Sequence, residues 1–538
     1  MLLLFSAAAA LLAPLIRVPR VRAASHPDAH DMFHTSDRCV ACYNNLRTRS
    51  GEDVSIGYQW AASVMANAGR DPYWQGSLRR ETIDHPAASA AIQNECSTCH
   101  MPMQHLIDRA EGRETQVFSR LPLTAAHGRF TPASDGVSCS VCHQIEKQGL
   151  GTPQTFVGNV VVAAVTDRNH RPEYGPFVVD AGHQEIMRSS TQGFVPTYAA
   201  HIRDSGLCGS CHTLYTTARG ADGKVIGRFP EQVPFQEWQH SDYYNRQSCQ
   251  DCHMPVVKQP IAVTAIYGPL RDGMHRHAFV GGNFLLQHLL NQHRDELAVK
   301  ALPQDLDAAV LRTKTFLQTQ AAGLQLSRVA AASGQLAFDV TVENRTGHKL
   351  PTAYPSRRAW LHVIVRDASG RVIFESGHLN PDGSIAGNVN DADPLRFERH
   401  HPAITRPDQV EIFESILGDQ QGHVTTGLIN AVHYLKDNRI LPSGFDKATA
   451  GPDIQAVGGA EADPEFTGGS SRIRYEVRTG RSTGPYTVET ELWYQPIGYR
   501  WAHNLGACQA AEPQRFVHYY EQDSSQSAVV LAHAEERY

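Results

Sequence analysis

Four short motifs constrain this chain more than anything else in it: Cys96-Ser-Thr-Cys99-His100, Cys139-Ser-Val-Cys142-His143, Cys208-Gly-Ser-Cys211-His212 and Cys249-Gln-Asp-Cys252-His253. A fifth, Cys39-Val-Ala-Cys42-Tyr43, keeps both cysteines and puts a tyrosine where the others have histidine. Together they use ten of the eleven cysteines and leave only Cys508. Two thiols three positions apart can add across the two vinyl groups of a haem while the next residue, histidine, reaches its iron, so CxxCH is the attachment motif of c-type haem. Structural zinc does not ask for a histidine directly after each pair, and neither does a disulfide. The recurring histidine therefore argues for four covalent haems, with His100, His143, His212 and His253 on the irons.

The fifth motif is open between several readings. Tyrosine ligates iron in catalases, so a haem at Cys39 and Cys42 with Tyr43 on its iron is chemically sound. Alternatively His34 or His30 takes the proximal place, or the pair holds no haem and is a disulfide or a vestige, histidine and tyrosine codons differing by one base.

Each six-coordinate haem needs a second axial ligand from elsewhere in the chain. Histidine is plentiful at 28 residues and methionine scarce at eight, and Met101 and Met254 directly follow proximal histidines, where they cannot fold back over the other face. Ligation by two histidines is the expectation. The distal candidates are His85, His105, His127, His201 and His277, the last in "MHRHAFVGGN", whose paired glycines would let a backbone approach a flat cofactor.

The stretches "ECSTCHMPM", "DGVSCSVCHQI", "LCGSCHTLYT", "PFQEWQHSDYYNRQSCQDCHMP" and "HAFVGGNF" resemble the multihaem c-type cytochromes of bacterial respiration, with a haem domain like that of the cytochrome c-552/4 group. The resemblance covers about residues 30–285. It implies a compact array of haems held by short helices and long loops, passing electrons along the array; some members also convert small nitrogen or sulfur compounds at an open haem. Tyr43 departs from the family pattern.

The rest of the chain reads as a different material. Residues 286–325 suggest two connecting helices separated at Pro303. After them the hydrophobic period shifts to two: Leu336, Phe338, Val340 and Val342 alternate with polar residues, and "LHVIVRDASGRVIFES" reads as a hairpin turning at Asp367 to Gly370. The expected fold is thus an α-helical, loop-rich multihaem domain over 24–285 followed by an all-β, sandwich-like domain over 326–505, with 506–538 as a C-terminal tail. The stretch "NRTGHKLPTAYPSRRAWLHVIV" resembles the β-rich domain attached to some multihaem cytochromes. Within it His348 could reach a haem, although an ordinary loop histidine is the favoured reading. "NVNDADP" reads as a solvated loop, since its spacing is not that of a calcium loop, and the pair His400-His401 points to no chemistry.

Residues 1–23 form an apolar run followed by arginines and a small-residue cleavage site, expected to be a signal for export to the periplasm or beyond. No second stretch is long enough to cross a bilayer, so the mature chain should have no transmembrane span. A net charge of -6 with no dense basic run gives no reason to expect nucleic acid. The function expected is electron transfer through four haem c groups, and a fifth if Cys39 and Cys42 carry one, with a redox protein or quinol-oxidising complex as partner and an oligomer left open. The alternative is a multihaem oxidoreductase acting on a small nitrogen or sulfur compound at an open haem near Tyr43.

Overall fold

The computed structural model describes residues 32–123, 131–163, 167–332 and 334–538. The expected export signal lies outside the described residues, as do His30 and the distal candidate His127. No helix among the described residues is long and apolar enough to cross a membrane.

Up to Asn283 the described chain is a succession of short helices and turns with three two-stranded sheets. The motifs ride on the helices. Ser89–His100 carries Cys96, Cys99 and His100; Cys139–Cys142, Ser205–Cys211 and Cys249–His253 carry the others, and Asp37–Val40 carries Cys39. One helical turn puts residues i and i+3 on the same face, which presents both thiols of a motif together. Side chains fix where these helices begin: Asp204 accepts from the Gly206 N–H at 2.9 Å, and Ser248 with Asp251 forms a reciprocal capping box. Apolar clusters here are small, such as Phe33, Met103, Leu106, Ile107 and Val141.

The two connecting helices are Phe284–Gln292 and Pro303–Phe316, with Pro303 at the first position of the second, where its missing N–H costs nothing. Beyond them two five-stranded sheets form. One has Val372–Ser376, Arg358–Arg366, Thr487–Gln495 and Val529–Arg537 in that order, with Ile412–Phe413 also paired to Arg358–Arg366. The other has Ala403–Ile404, Ser470–Arg478, Gln335–Asn344 and Ala322–Ala332, with Phe466–Thr467 paired to Ser470–Arg478. Leu336, Phe338, Val340 and Val342 of one sheet and Val363, Val365, Val488 and Leu492 of the other are all 0 % exposed and belong to one cluster. The Phe374 ring meets Tyr475 across the two sheets at 6.2 Å. The hairpin turns at Asp367 to Gly370, where Gly370 takes φ +80° and its N–H reaches the Asp367 carbonyl at 2.8 Å.

Residues 506–538 are not a tail. Ala511–Asp523 is a helix against Pro72–Asp84 of the motif-bearing half, with Arg79 paired to Glu512 by two bonds of 2.8 and 2.9 Å, and Val529–Arg537 pairs with Thr487–Gln495. The charges at the end of "VVLAHAEER" hide the alternation because they face solvent on an outer strand. Nor is "NVNDADP" a solvated loop: Asp391 is buried and accepts from Arg358 and from the Ile385 N–H, both at 2.8 Å.

Candidate haem sites

All eleven cysteines are free thiols, and those of the five motifs are partly accessible. Motifs distant in sequence meet. The Cys39 thiol hydrogen-bonds with Cys139, which together with burial holds Cys39 well above the usual thiol range. Cys208 and Cys249 share a hydrogen bond that pushes Cys208 up and Cys249 down to about 7. Cys99 and Cys142 each feel Cys211. The motifs thus form one connected group.

Three of the motif histidines are oriented by a backbone carbonyl. Nδ1 of His100 lies 3.0 Å from the Ala68 oxygen, that of His143 2.5 Å from Tyr174, and that of His253 2.5 Å from Val280. A ring that donates from Nδ1 keeps its Nε2 lone pair for a metal, and the carbonyl raises the basicity of that nitrogen. Burial pushes His100 down to about 4. His212 is exposed to solvent, yet burial, then His253 and Arg357, push it down to about 4.

Two further histidines are held opposite motif histidines. His277 has its ring centre 6.4 Å from that of His143 with planes 18° apart, and His348 stands 6.2 Å from His253 at 12°. Direct ring stacking is much closer, as His293 on Tyr519 at 3.5 Å shows. Two metal–imidazole bonds of roughly 2 Å, plus the distance from each nitrogen to its ring centre, come to about 6 Å. Both outer rings bond through Nδ1, His277 to the His275 carbonyl at 3.1 Å and His348 to the Lys349 carbonyl at 2.9 Å. Burial pushes His277 down to about 3 and His348 to about 4, the facing motif histidine adding to each shift. Neutral, Nδ1-protonated imidazoles in facing pairs fit the axial positions of a haem iron.

The segment from His275 to Gly282 serves both pairs, since His277 faces His143 while the Val280 carbonyl orients His253. Gly282 is required by packing against protein and not by a cofactor: a Cβ there would lie 2.5 Å from the Tyr494 hydroxyl. His348 is fixed by the contact between the two halves. A Cβ on Gly347 would press to 3.2 Å from Trp238, on the helix Pro234–Gln239, and 3.3 Å from Tyr243 just beyond it, so glycine lets the loop close there. The Lys349 N–H donates to Glu237 at 3.1 Å and its Nζ to Asp437 at 2.7 Å, while Arg439 bridges Asp437 and Glu237 at 2.7 and 3.0 Å. These four side chains are at most 4 % exposed.

The other distal candidates are placed differently. His105 lies back on its own helix pair, with Nδ1 3.0 Å from the Ser97 hydroxyl. His201 gives Nε2 to the Ile145 carbonyl at 2.8 Å. His85 is buried with neither ring nitrogen bonded. Trp74 stacks on His100 at 4.2 Å and 1°. Tyr43 is partly accessible, burial raises its hydroxyl well above the usual phenol range, and its Oη lies 3.9 Å from the Met187 Sδ. Of the candidates read from the sequence, His277 stands opposite a motif histidine, and so does His348, whose segment "NRTGHKLP" reads locally as an ordinary loop.

No protein-family model and no curated protein matches this chain. Among solved structures it is similar to a penta-heme cytochrome c552 from Thermochromatium tepidum, at 16% sequence identity and a TM-score of 0.52, over 94% of this chain and 100% of that one. The chain therefore has a multihaem cytochrome fold.

Proposed function

We propose that the protein is an exported multihaem c-type cytochrome that carries electrons through an array of covalently bound haems, exchanging them with a redox protein or quinol-oxidising complex. Cys96 and Cys99, Cys139 and Cys142, Cys208 and Cys211, and Cys249 and Cys252 would anchor four haems, with His100, His143, His212 and His253 on the irons. His277 completes the site of His143 and His348 that of His253. The observation that carries this reading is the two pairs of facing imidazoles, with ring centres 6.4 and 6.2 Å apart and planes near parallel.

The bound haem supplies a one-electron change at iron without net bond making. The chain's part is to hold geometry and set the electrostatics. Carbonyls of Ala68, Tyr174 and Val280 lock the motif rings, so little reorganises when charge changes. Burial around the rings lowers the local dielectric, and the Arg357 cation, which acts on His212, His253 and His348, disfavours added positive charge there. The β-rich half contributes a ligand as well as a shield, and the contact between the halves at Gly347 to Lys349 then becomes part of a redox site.

Intact mass of the denatured holoprotein counts covalent haems, and low-temperature electron paramagnetic resonance separates low-spin from high-spin iron. At least four haems are expected. His277→Ala and His348→Ala should each turn one low-spin haem high-spin and leave the others alone. A protein without covalent haem, or two variants with unchanged spectra, would refute the assignment.

A further inference from the structure

We infer that Tyr43 and Met187 are the two axial ligands of a haem attached at Cys39 and Cys42. The inference rests on the cytochrome reading above and extends it to the motif that departs from the pattern.

Tyr43 leaves the backbone from the same position as the motif histidines. Its N–H bonds to the Cys39 carbonyl at 3.2 Å, as that of His143 bonds to Cys139 at 3.0 Å and that of His212 to Cys208 at 2.9 Å. Its side chain is thus sent where an iron ligand is wanted. The Oη then meets the Sδ of Met187 at 3.9 Å. Metal–oxygen and metal–sulfur bonds of roughly 2.0 and 2.3 Å laid end to end span about 4.3 Å, so the two donors stand at nearly the separation an iron between them requires.

The surroundings leave apolar side chains uncovered. Met187 belongs to the helix Ala181–Ser190, which buries none of its residues although it carries Ile186 and Met187 on its surface. The helix lies beside the strand Phe194–Tyr198, with Gln184 donating to the Pro196 carbonyl, yet none of its apolar side chains is buried there. Ile186 is 41 % exposed, and nearby Ile266 and Tyr267 are 38 % and 87 % exposed. These pieces are tied to each other and to the motif: Nε2 of His183 lies 2.9 Å from the Tyr267 carbonyl, and the Ala265 N–H donates to the Cys42 carbonyl at 2.8 Å. A macrocycle anchored on Cys39 and Cys42 would supply the missing apolar face. Of the two histidines that are alternatives to Tyr43, His30 lies outside the described residues and His34 has its Nε2 2.7 Å from the Thr191 carbonyl.

The donors have opposite effects on redox poise. An anionic phenolate oxygen stabilises ferric iron by charge, whereas a thioether opposite raises the potential. This gives the pair a signature that packing alone would not produce. The test uses the full holoprotein, matured where c-type haem is attached, with Tyr43→His, Met187→Leu and Met187→His. Mass is read first. A count of four haems would remove both the attachment at Cys39 and Cys42 and the ligand pair, while leaving the four-haem cytochrome intact. With five haems attached, a redox titration should find one centre of the five raised in Tyr43→His and lowered in Met187→Leu, the other four unmoved. Met187→His should give that same centre a new low-spin paramagnetic signal. Five haems with unmoved midpoints in Met187→Leu, or an unaltered spectrum in Met187→His, would overturn the ligand pair and leave the attachment standing.

Discussion

The half of the chain that carries the cysteine motifs and the half that carries the two large sheets answer the need for a core differently. In the sheet-rich half, alternating side chains of both sheets meet in one continuous cluster running from Leu336 through Val363 to Leu492. Upstream, the clusters are small and separate, as at Leu46, Val54, Val257, Ile261 and Met274, and the motif side chains between them are only partly covered. A region that buries too little apolar surface needs another source of stability, and bound cofactors supply it by binding the folded state alone. The contrast sets a half with one continuous apolar core beside a half whose small clusters surround partly covered motif cysteines, and under the proposed function the motif-bearing fold would depend on its cofactors where the sheet-rich fold would not.

The strongest way to break that comparison is to withhold the haems. Made where c-type haem is not attached, the protein should exchange the backbone amides of residues 32–283 at rates close to those of an unfolded chain. The strands Gln335–Asn344, Ser470–Arg478 and Thr487–Gln495 should stay protected. Equal protection in both halves would show that the upstream fold stands without cofactor.

A core truncation asks the reverse question. Phe338 is 0 % exposed and stacks on Tyr475 at 5.2 Å, so Phe338→Ala should cost about 3–5 kcal/mol in denaturant unfolding of the sheet-rich half. The Soret spectrum of the upstream haems should hold until that transition begins. A loss of less than about 1 kcal/mol would mean that the cluster is not the continuous core described.

The two halves meet at the Glu237, Lys349, Asp437 and Arg439 network, and Glu237→Ala removes one of the two carboxylates between which Arg439 is buried. Breaking a buried pair by deleting one partner costs about 3 kcal/mol. Because Glu237 also takes the Lys349 N–H and the Thr352 hydroxyl, His348 should loosen with it. A rise in one high-spin signal at unchanged haem count is the expected readout, and Glu237→Gln should be milder. An unaltered spectrum would separate the network from the haem site.

What the sequence disclosed divides along the same line. Motif cysteines and their histidines are local statements, and Cys96 to His100 could be read directly because a thiol pair followed by imidazole has few other uses. Alternation from Leu336 to Val342 disclosed a strand for the same reason. The partners of those motifs are not local. His277 was singled out from its glycine-flanked segment, but its pairing with His143, and that of His348 with His253, depend on how distant segments cross. His348 sits among residues whose local reading is a loop, and only the closure of Gly347 on Trp238 and Tyr243 turns it toward His253. The contact of Met187 with Tyr43 is likewise non-local, and the scarcity of methionine says nothing about any one of the eight. The final strand was hidden by its charged outer end.

The smallest effect concerns His400, which the sequence left without a role. It is fully buried, with Nδ1 2.6 Å from Glu411 and Nε2 2.8 Å from Asp463, and Asn438, the Phe466 ring and Lys436, through Glu411, complete its surroundings. Burial alone would lower its pKa, but the two carboxylates, Glu411 more strongly, outweigh burial and raise it. A group whose folded pKa lies above its unfolded value of about 6.5 stabilises fully below that value, and the contribution fades as pH rises through the folded pKa. Each unit of such a difference is worth about 1.4 kcal/mol. The sheet-rich half should therefore lose stability as pH rises above about 6.5 and through the raised folded pKa, and His400→Gln should flatten that slope while lowering stability at pH 6. Denaturation midpoints across pH 5.5 to 9 measure both. Since no motif histidine takes part, the haem spectra should not change over the same range before unfolding; a pH-dependent spectrum that follows the stability would instead mean that the two halves titrate as one body.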